Sequence, residues 1–250
     1  MPSQSVIQFE RVFHIGTLNV DDRSRNFRDS YEGNCLSVSV TPHAWQQIAK
    51  LGGYDLHELT KEGGRLVDAH AVRDSDAFAE IVAWAKANGL IEDREVFKGW
   101  ECNEDDEWAY TFFESEEAAL EELDMDGEYE GDIDLLPHPE DHEAIEPVTI
   151  LGGTDALSQI VGRYFDVTEA VDDYLIMAYA RQVMDVDGVW WNEDYDPDGY
   201  SAPRGGIFPN KVAEWTAVEI DFDAVEDEEE LYELDEIMAG RSLGPKLLPR

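Results

Sequence analysis

The apolar positions of the chain fall into short blocks whose periods switch between strand and helix. Residues 6–20, VIQFERVFHIGTLNV, are rich in β-branched and aromatic side chains and read as a buried strand ending at the Gly16-Thr17 turn. After a polar loop, CLSVSV at 35–40 is a second, shorter strand. Thr41-Pro42 then sets a capping hydroxyl before a proline, which is how a helix opens. Ala44, Trp45, Ile48 and Leu51 recur behind it at helical spacing, and Gly52-Gly53 ends the run. A second helix is expected over 74–88, with Asp74, Ser75 and Asp76 at its positive end and Gly89 closing it. Phe78, Ile81, Val82 and Ala85 form its apolar face.

Residues 96–113 interleave aromatics with acid and predict a hairpin, after which Ser115 opens a short acidic helix, SEEAALEELDMDG. Residues 126–147 are poor in apolar side chains and hold Pro137 and Pro139, which predicts a long loop or arm. Periodicity resumes at Val148. A helix over 168–184 places Val171, Leu175, Ala178 and Gln182 on one face and feeds into DVDGVWW, a strand of buried type. GGIF and EWTAVEIDF follow, the latter alternating like a half-buried strand; 226–238 reads as an acidic helix and SLGPKLLPR as a mildly basic tail. The expected fold class is α+β, a mostly antiparallel sheet core with an acidic helical or loop insertion. Its parts are 1–98 and 148–223 for the core, 99–147 for the insertion, and 224–250 for the acidic helix and tail.

Composition agrees with a packed core: 43% of the 250 residues are apolar, and ten Tyr, ten Phe and seven Trp argue against disorder. No apolar run approaches the ~18 residues of a membrane span, and no basic segment precedes an apolar one at the N-terminus. A soluble cytoplasmic chain without a membrane partner is expected. Cys35 and Cys102 lack metal-ligand spacing and read as a reduced pair.

Charge changes the picture more. The net charge is −40, and it is unevenly spread. Residues 1–50 carry five acids and five bases, whereas residues 101–150 carry twenty acids and no Lys or Arg. Salt adaptation acidifies a whole surface, so a neutral first fifth favours localised acid with a binding purpose. Duplex DNA carries one negative charge per ~1.7 Å of axis, and an acidic face presents a comparable field to a DNA-binding protein. The candidate partner surface comprises Glu104, Asp105, Asp106, Glu107, Glu116, Glu117, Glu121, Glu122, Asp124 and Asp126, with aromatics among them as anchors. Direct nucleic-acid binding is not expected of so acidic a chain.

Candidate chemistry begins at Val12-Phe13-His14-Ile15-Gly16-Thr17, where a strand-end histidine precedes an unhindered backbone edge. This His-x-Gly-Thr resembles the first motif of ADP-ribosyltransferases of the His-type class. The resemblance implies that His14, Gly16 and Thr17 hold the ribose and nicotinamide of NAD, with Ser37 and Ser39 near the nicotinamide. Gly188-Val189-Trp190-Trp191-Asn192-Glu193-Asp194, behind its helix, is similar to the family's late acidic element. By that likeness Glu193 is the catalytic acid and Asp194 its alternate, one carboxylate stabilising the cleaving N-glycosidic bond. Arg204, in Ser201-Ala-Pro-Arg204-Gly-Gly206, is placed to hold a nucleotide phosphate or to neutralise neighbouring acids. Asp194-x-Asp196-x-Asp198-Gly199 looks like the start of a calcium loop but has Gly205 where the closing Glu belongs, so no metal is expected.

Two functions are expected, one enzymatic and one not. The first is a phage or mobile-element effector with an ADP-ribosyltransferase-like core that uses NAD and engages a basic nucleic-acid-binding host protein through its acidic segments. The second is a non-catalytic DNA mimic of the counter-defence, anti-restriction kind, which resembles such proteins in composition alone. A salt-adapted acidic protein is the bland alternative.

Overall fold

In a computed structural model, which describes residues 5–19, 34–102, 108–122, 145–162, 171–191 and 203–225, the chain is α+β. Of the loop or arm expected over 126–147, residues 126–144 lie outside the described residues, as do the acidic helix over 226–238 and the basic tail, whereas 145–147 open a strand, Ile145–Gly153, instead of ending a loop. Strand β1 (Val6–Ile15) pairs antiparallel with β3 (Leu56–Asp68) along most of its length, and with β2 (Leu36–Ser39) at Phe13↔Ser39. β2 runs antiparallel to β8 (Arg204–Ile207), and β8 antiparallel to β7 (Gly188–Trp191). β7 returns parallel to the end of β3, so these five strands form a closed ring. β9 (Thr216–Ile220) extends the sheet along the first half of β3.

Alternation fills the ring. Ile7, Phe9, Val12, Leu36, Val38, Leu59, Leu66, Trp190 and Ile207 form one buried cluster with Trp215. Each large side chain buried this way contributes roughly 1.5–3 kcal/mol. The register of β1 shifts between Phe9 and Arg11, a bulge that turns Val12 rather than Arg11 inward. The opposite face of β3 and β7 packs on four helices, α2 (Ala69–Arg73), α3 (Ala77–Ala87), α5 (Asp155–Val161) and α6 (Val171–Val183). α1 (Pro42–Ile48) covers Phe13, Ile15 and Leu56 with Trp45 and Ile48.

A second, three-stranded sheet has β4 (Ile91–Cys102) between β5 (Trp108–Phe113) and β6 (Ile145–Gly153). α4 (Glu116–Glu122) lies across all three strands, and Leu90, Ile91 and Leu151 root the sheet in the helical core. This is the hairpin expected over 96–113, and Ser115 Oγ accepts from Ala118 N–H as the helix opens. The expected insertion limits, 99 and 147, fall inside β4 and β6.

Several expectations need correction. Thr41 makes no side-chain cap; its hydroxyl meets Ser39 Oγ at 3.2 Å instead. The helix over 74–88 starts at Ala77, because Asp74 ends α2 and Ser75 Oγ donates to the Val72 carbonyl. α6 is buried on more than one face, from Tyr174 through Ala178, while Gln182 is exposed. β9 is an exposed strand rather than a half-buried one, with Val218 52% accessible. Strand β3, the most connected of all, had no counterpart in the sequence reading.

Candidate functional site at the barrel mouth

His14 closes the inner face of β1 directly opposite His57 of β3, their rings nearly parallel with centroids 6.3 Å apart. His14 Nδ1 lies 2.7 Å from the Ser37 carbonyl oxygen and Nε2 lies 2.9 Å from that of Thr17. A carbonyl only accepts, so each contact is a hydrogen bond when that nitrogen carries a proton, and both hold together in the imidazolium. The ring thus sits between β2 and its own following turn, one nitrogen within hydrogen-bond distance of each.

That turn depends on Gly16, whose φ of 117° is rarely open to other residues. Gly16 N–H donates to the Asp55 carbonyl (2.9 Å), tying the loop after β1 to the loop before β3. Between the two loops opens a cavity of ≈ 470 Å³, lined by Gly16, Thr17, Asn19, Tyr54, Asp55 and His57 among others. Of the expected NAD residues, Gly16 and Thr17 line it, His14 sits against it, and Ser37 supports His14 through its carbonyl. The Ser37 hydroxyl is buried with no hydrogen-bond partner.

Ser39 and Arg204 stand elsewhere. They face each other across β2 and β8, and Ser39 Oγ donates to the Pro203 carbonyl at 3.0 Å. Arg204 lies with its guanidinium carbon 5.5 Å from the Trp45 ring centre, and burial pushes it down to about 10. The pair belongs to the face covered by α1, since Ser39 is also opposite Phe13. Glu193 and Asp194, the expected catalytic acids, lie outside the described residues, as does most of the calcium-like loop. Among the described residues, no group of three or more His, Cys, Asp and Glu is placed to hold a metal ion.

Glu104, Asp105, Asp106, Glu107, Asp124 and Asp126 also lie outside the described residues, whereas Glu116, Glu117 and Glu121 stand exposed on α4, which Glu122 ends. The bases near this sheet are engaged. Lys86 Nζ binds both oxygens of Asp93 (2.8 and 2.9 Å), and Arg94 Nε donates to Glu92 (3.0 Å). Lys98 Nζ lies 4.1 Å and 4.0 Å from the Trp100 and Tyr110 ring centres.

One polar cluster had no sequence signal at all. Lys61 donates to Asp187 (2.6 Å) and to Glu214 (2.7 Å), and Asp187 also accepts the Arg65 N–H (2.9 Å). Burial alone would lower the Lys61 ammonium, but the two carboxylates outweigh it and hold it above its ordinary value. It floors a second cavity of ≈ 560 Å³ beside Glu10, Thr60, Glu62 and Thr216. His57 and Asp55 were missed with strand β3 itself.

No family model, no curated protein and no solved structure matches the chain. Among the described residues, no helix is long and apolar enough to cross a membrane.

Proposed function

We propose that the chain is a binding protein that displays massed acid to a basic, nucleic-acid-binding protein. The observation that carries this reading is the twenty acids and absent Lys and Arg of residues 101–150, set against a neutral first fifth. The sheet geometry supports it, because the nearby Lys86, Arg94 and Lys98 are held by Asp93, Glu92 and the Trp100–Tyr110 rings rather than spread among the exposed acids of α4. A partner approaching this side meets the exposed carboxylates of α4, which steer a basic surface and fix its register. Capture from lysate followed by salt-dependent kinetics tests this reading. The partner should be basic, association should slow steeply with salt, and duplex DNA should compete for it. A partner without a basic face, or binding indifferent to salt and DNA, would reduce the acid to an aid to solubility.

A second reading, in which the core also transfers ADP-ribose from NAD, is favoured by one observation: Gly16 and Thr17 line a cavity against which His14 sits. It expects calorimetric NAD binding that His14→Ala removes. Glu193→Gln should keep binding and abolish transfer, because the carboxylate acts in the transition state. Absence of NAD binding at millimolar ligand would end this reading.

A further inference from the structure

The cavity at the barrel mouth is walled by two stretches of chain, residues 16–19 after β1 and residues 53–57 running into β3, and the Gly16–Asp55 main-chain hydrogen bond holds them together. Its volume of ≈ 470 Å³ is within the range of small-ligand pockets, roughly 300–1,000 Å³. Its side chains are of a particular kind. Tyr54 is 57% accessible and offers a ring face; Asp55 offers acceptors only; Thr17, Asn19 and His57 offer both donors and acceptors. Among the described residues that line it there is no Lys or Arg. In a chain of net charge −40, a phosphate or carboxylate placed there would meet Asp55, and none of the described lining residues is a cation that offsets it. The His57 ring lies nearly parallel to that of His14, centroids 6.3 Å apart.

We propose that this mouth binds an uncharged, amino-bearing nucleoside, its base stacked on Tyr54 and its exocyclic amine donated to Asp55. The base supplies a flat face for the phenol ring, and its ring nitrogens and sugar hydroxyls suit Asn19, His57 and Thr17. A phosphorylated nucleotide is disfavoured by the same lining. The site stands on the cavity alone and is independent of the acidic-partner reading. It departs from the transferase reading, which requires the pyrophosphate of NAD to be tolerated.

The test is a titration of the full chain with adenosine, AMP and NAD, followed by backbone amide NMR and calorimetry. Adenosine should shift amides of residues 16–19 and 53–57, and AMP should bind at least about tenfold more weakly. Tyr54→Ala and Asp55→Asn should each weaken adenosine by about tenfold while leaving the unfolding midpoint unchanged, since both side chains are exposed. AMP binding as tightly as adenosine would overturn the proposal, and so would shifts confined to other residues or no binding at millimolar adenosine. NAD binding more tightly than adenosine would also overturn it while supporting the transferase reading, so the two can fail separately.

Discussion

At the scale of single residues, the Lys61–Asp187–Glu214 cluster ties stability to pH. The Asp187 side chain is 5% accessible and that of Lys61 19%, so their contact is poorly screened, whereas Glu214 is exposed and adds little. Removing one member of a fully buried pair costs ~3–5 kcal/mol because the other charge is stranded. With Arg65 N–H still bonded to Asp187, Lys61→Met should cost less, about 2–3 kcal/mol in chemical denaturation. The pH dependence follows from the raised lysine. Its contribution is complete below the unfolded value near 10.5 and is lost as pH rises through the higher folded value. Glu214 is held below its ordinary range by hydrogen bonds from Lys61 and Lys211, so its share is present above about 4.5 and is lost as pH falls through the depressed value. The Lys61→Met variant should therefore show a flatter stability profile above pH ~10 than the parent. An unchanged profile would mean that Lys61 is solvated rather than paired.

At the scale of elements, the ring closes where two small residues let backbones meet. A Cβ on Gly188 would lie 1.9 Å from the Gly206 carbonyl oxygen, and one on Gly206 would press on Cys35. Gly188→Ala should thus force β7 from β8 and destabilise the fold by about 3 kcal/mol or more by overpacking. Gly52→Ala, with nothing within 4 Å, should stay within about 0.5 kcal/mol. Urea unfolding followed by tryptophan fluorescence compares them; equal midpoints would contradict the close approach. The sequence was legible where several local signals coincide. β1, β2, α1, β7 and the β4–β5 hairpin were readable because apolar period, turn residues and length agreed there. β3 escaped because LHELTKEGGRLVD mixes Leu56, Leu59, Leu66 and Val67 with charges and two glycines, and its bulged middle breaks the two-residue period. With it went His57 and Asp55, so half of the mouth cavity was invisible. Alternation likewise misled at β9, since period two shows a strand's two faces but not whether another layer covers either.

At the scale of the whole molecule, a charge of −40 must be compatible with a folded state in ordinary buffer. Self-repulsion opposes compaction, yet the closed ring and its helical layer bury their apolar side chains whatever the ionic strength. The protein should therefore stay folded in dilute buffer and gain only modest stability with salt, as repulsion between exposed acids falls over the ~10 Å Debye length at 0.1 M. Loss of circular dichroism on dialysis would instead mark salt adaptation. The acid on α4 separates stability from binding. Replacing Glu116, Glu117, Glu121 and Glu122 together by Gln relieves the like-charged Glu117–Glu121 pair, worth ~0.2–0.5 kcal/mol. It also removes two carboxylates from the helix's positive end, worth ~0.3–1 kcal/mol in the opposite sense. These offset, so the unfolding free energy should change by less than about 1 kcal/mol. Association with a basic partner has no such cancellation. Each carboxylate removed weakens the attractive field during approach, so the on-rate should fall by about tenfold at low salt and converge with the parent at high salt, with dissociation little changed. A variant that associates at the parental rate at low salt would remove α4 from the docking surface.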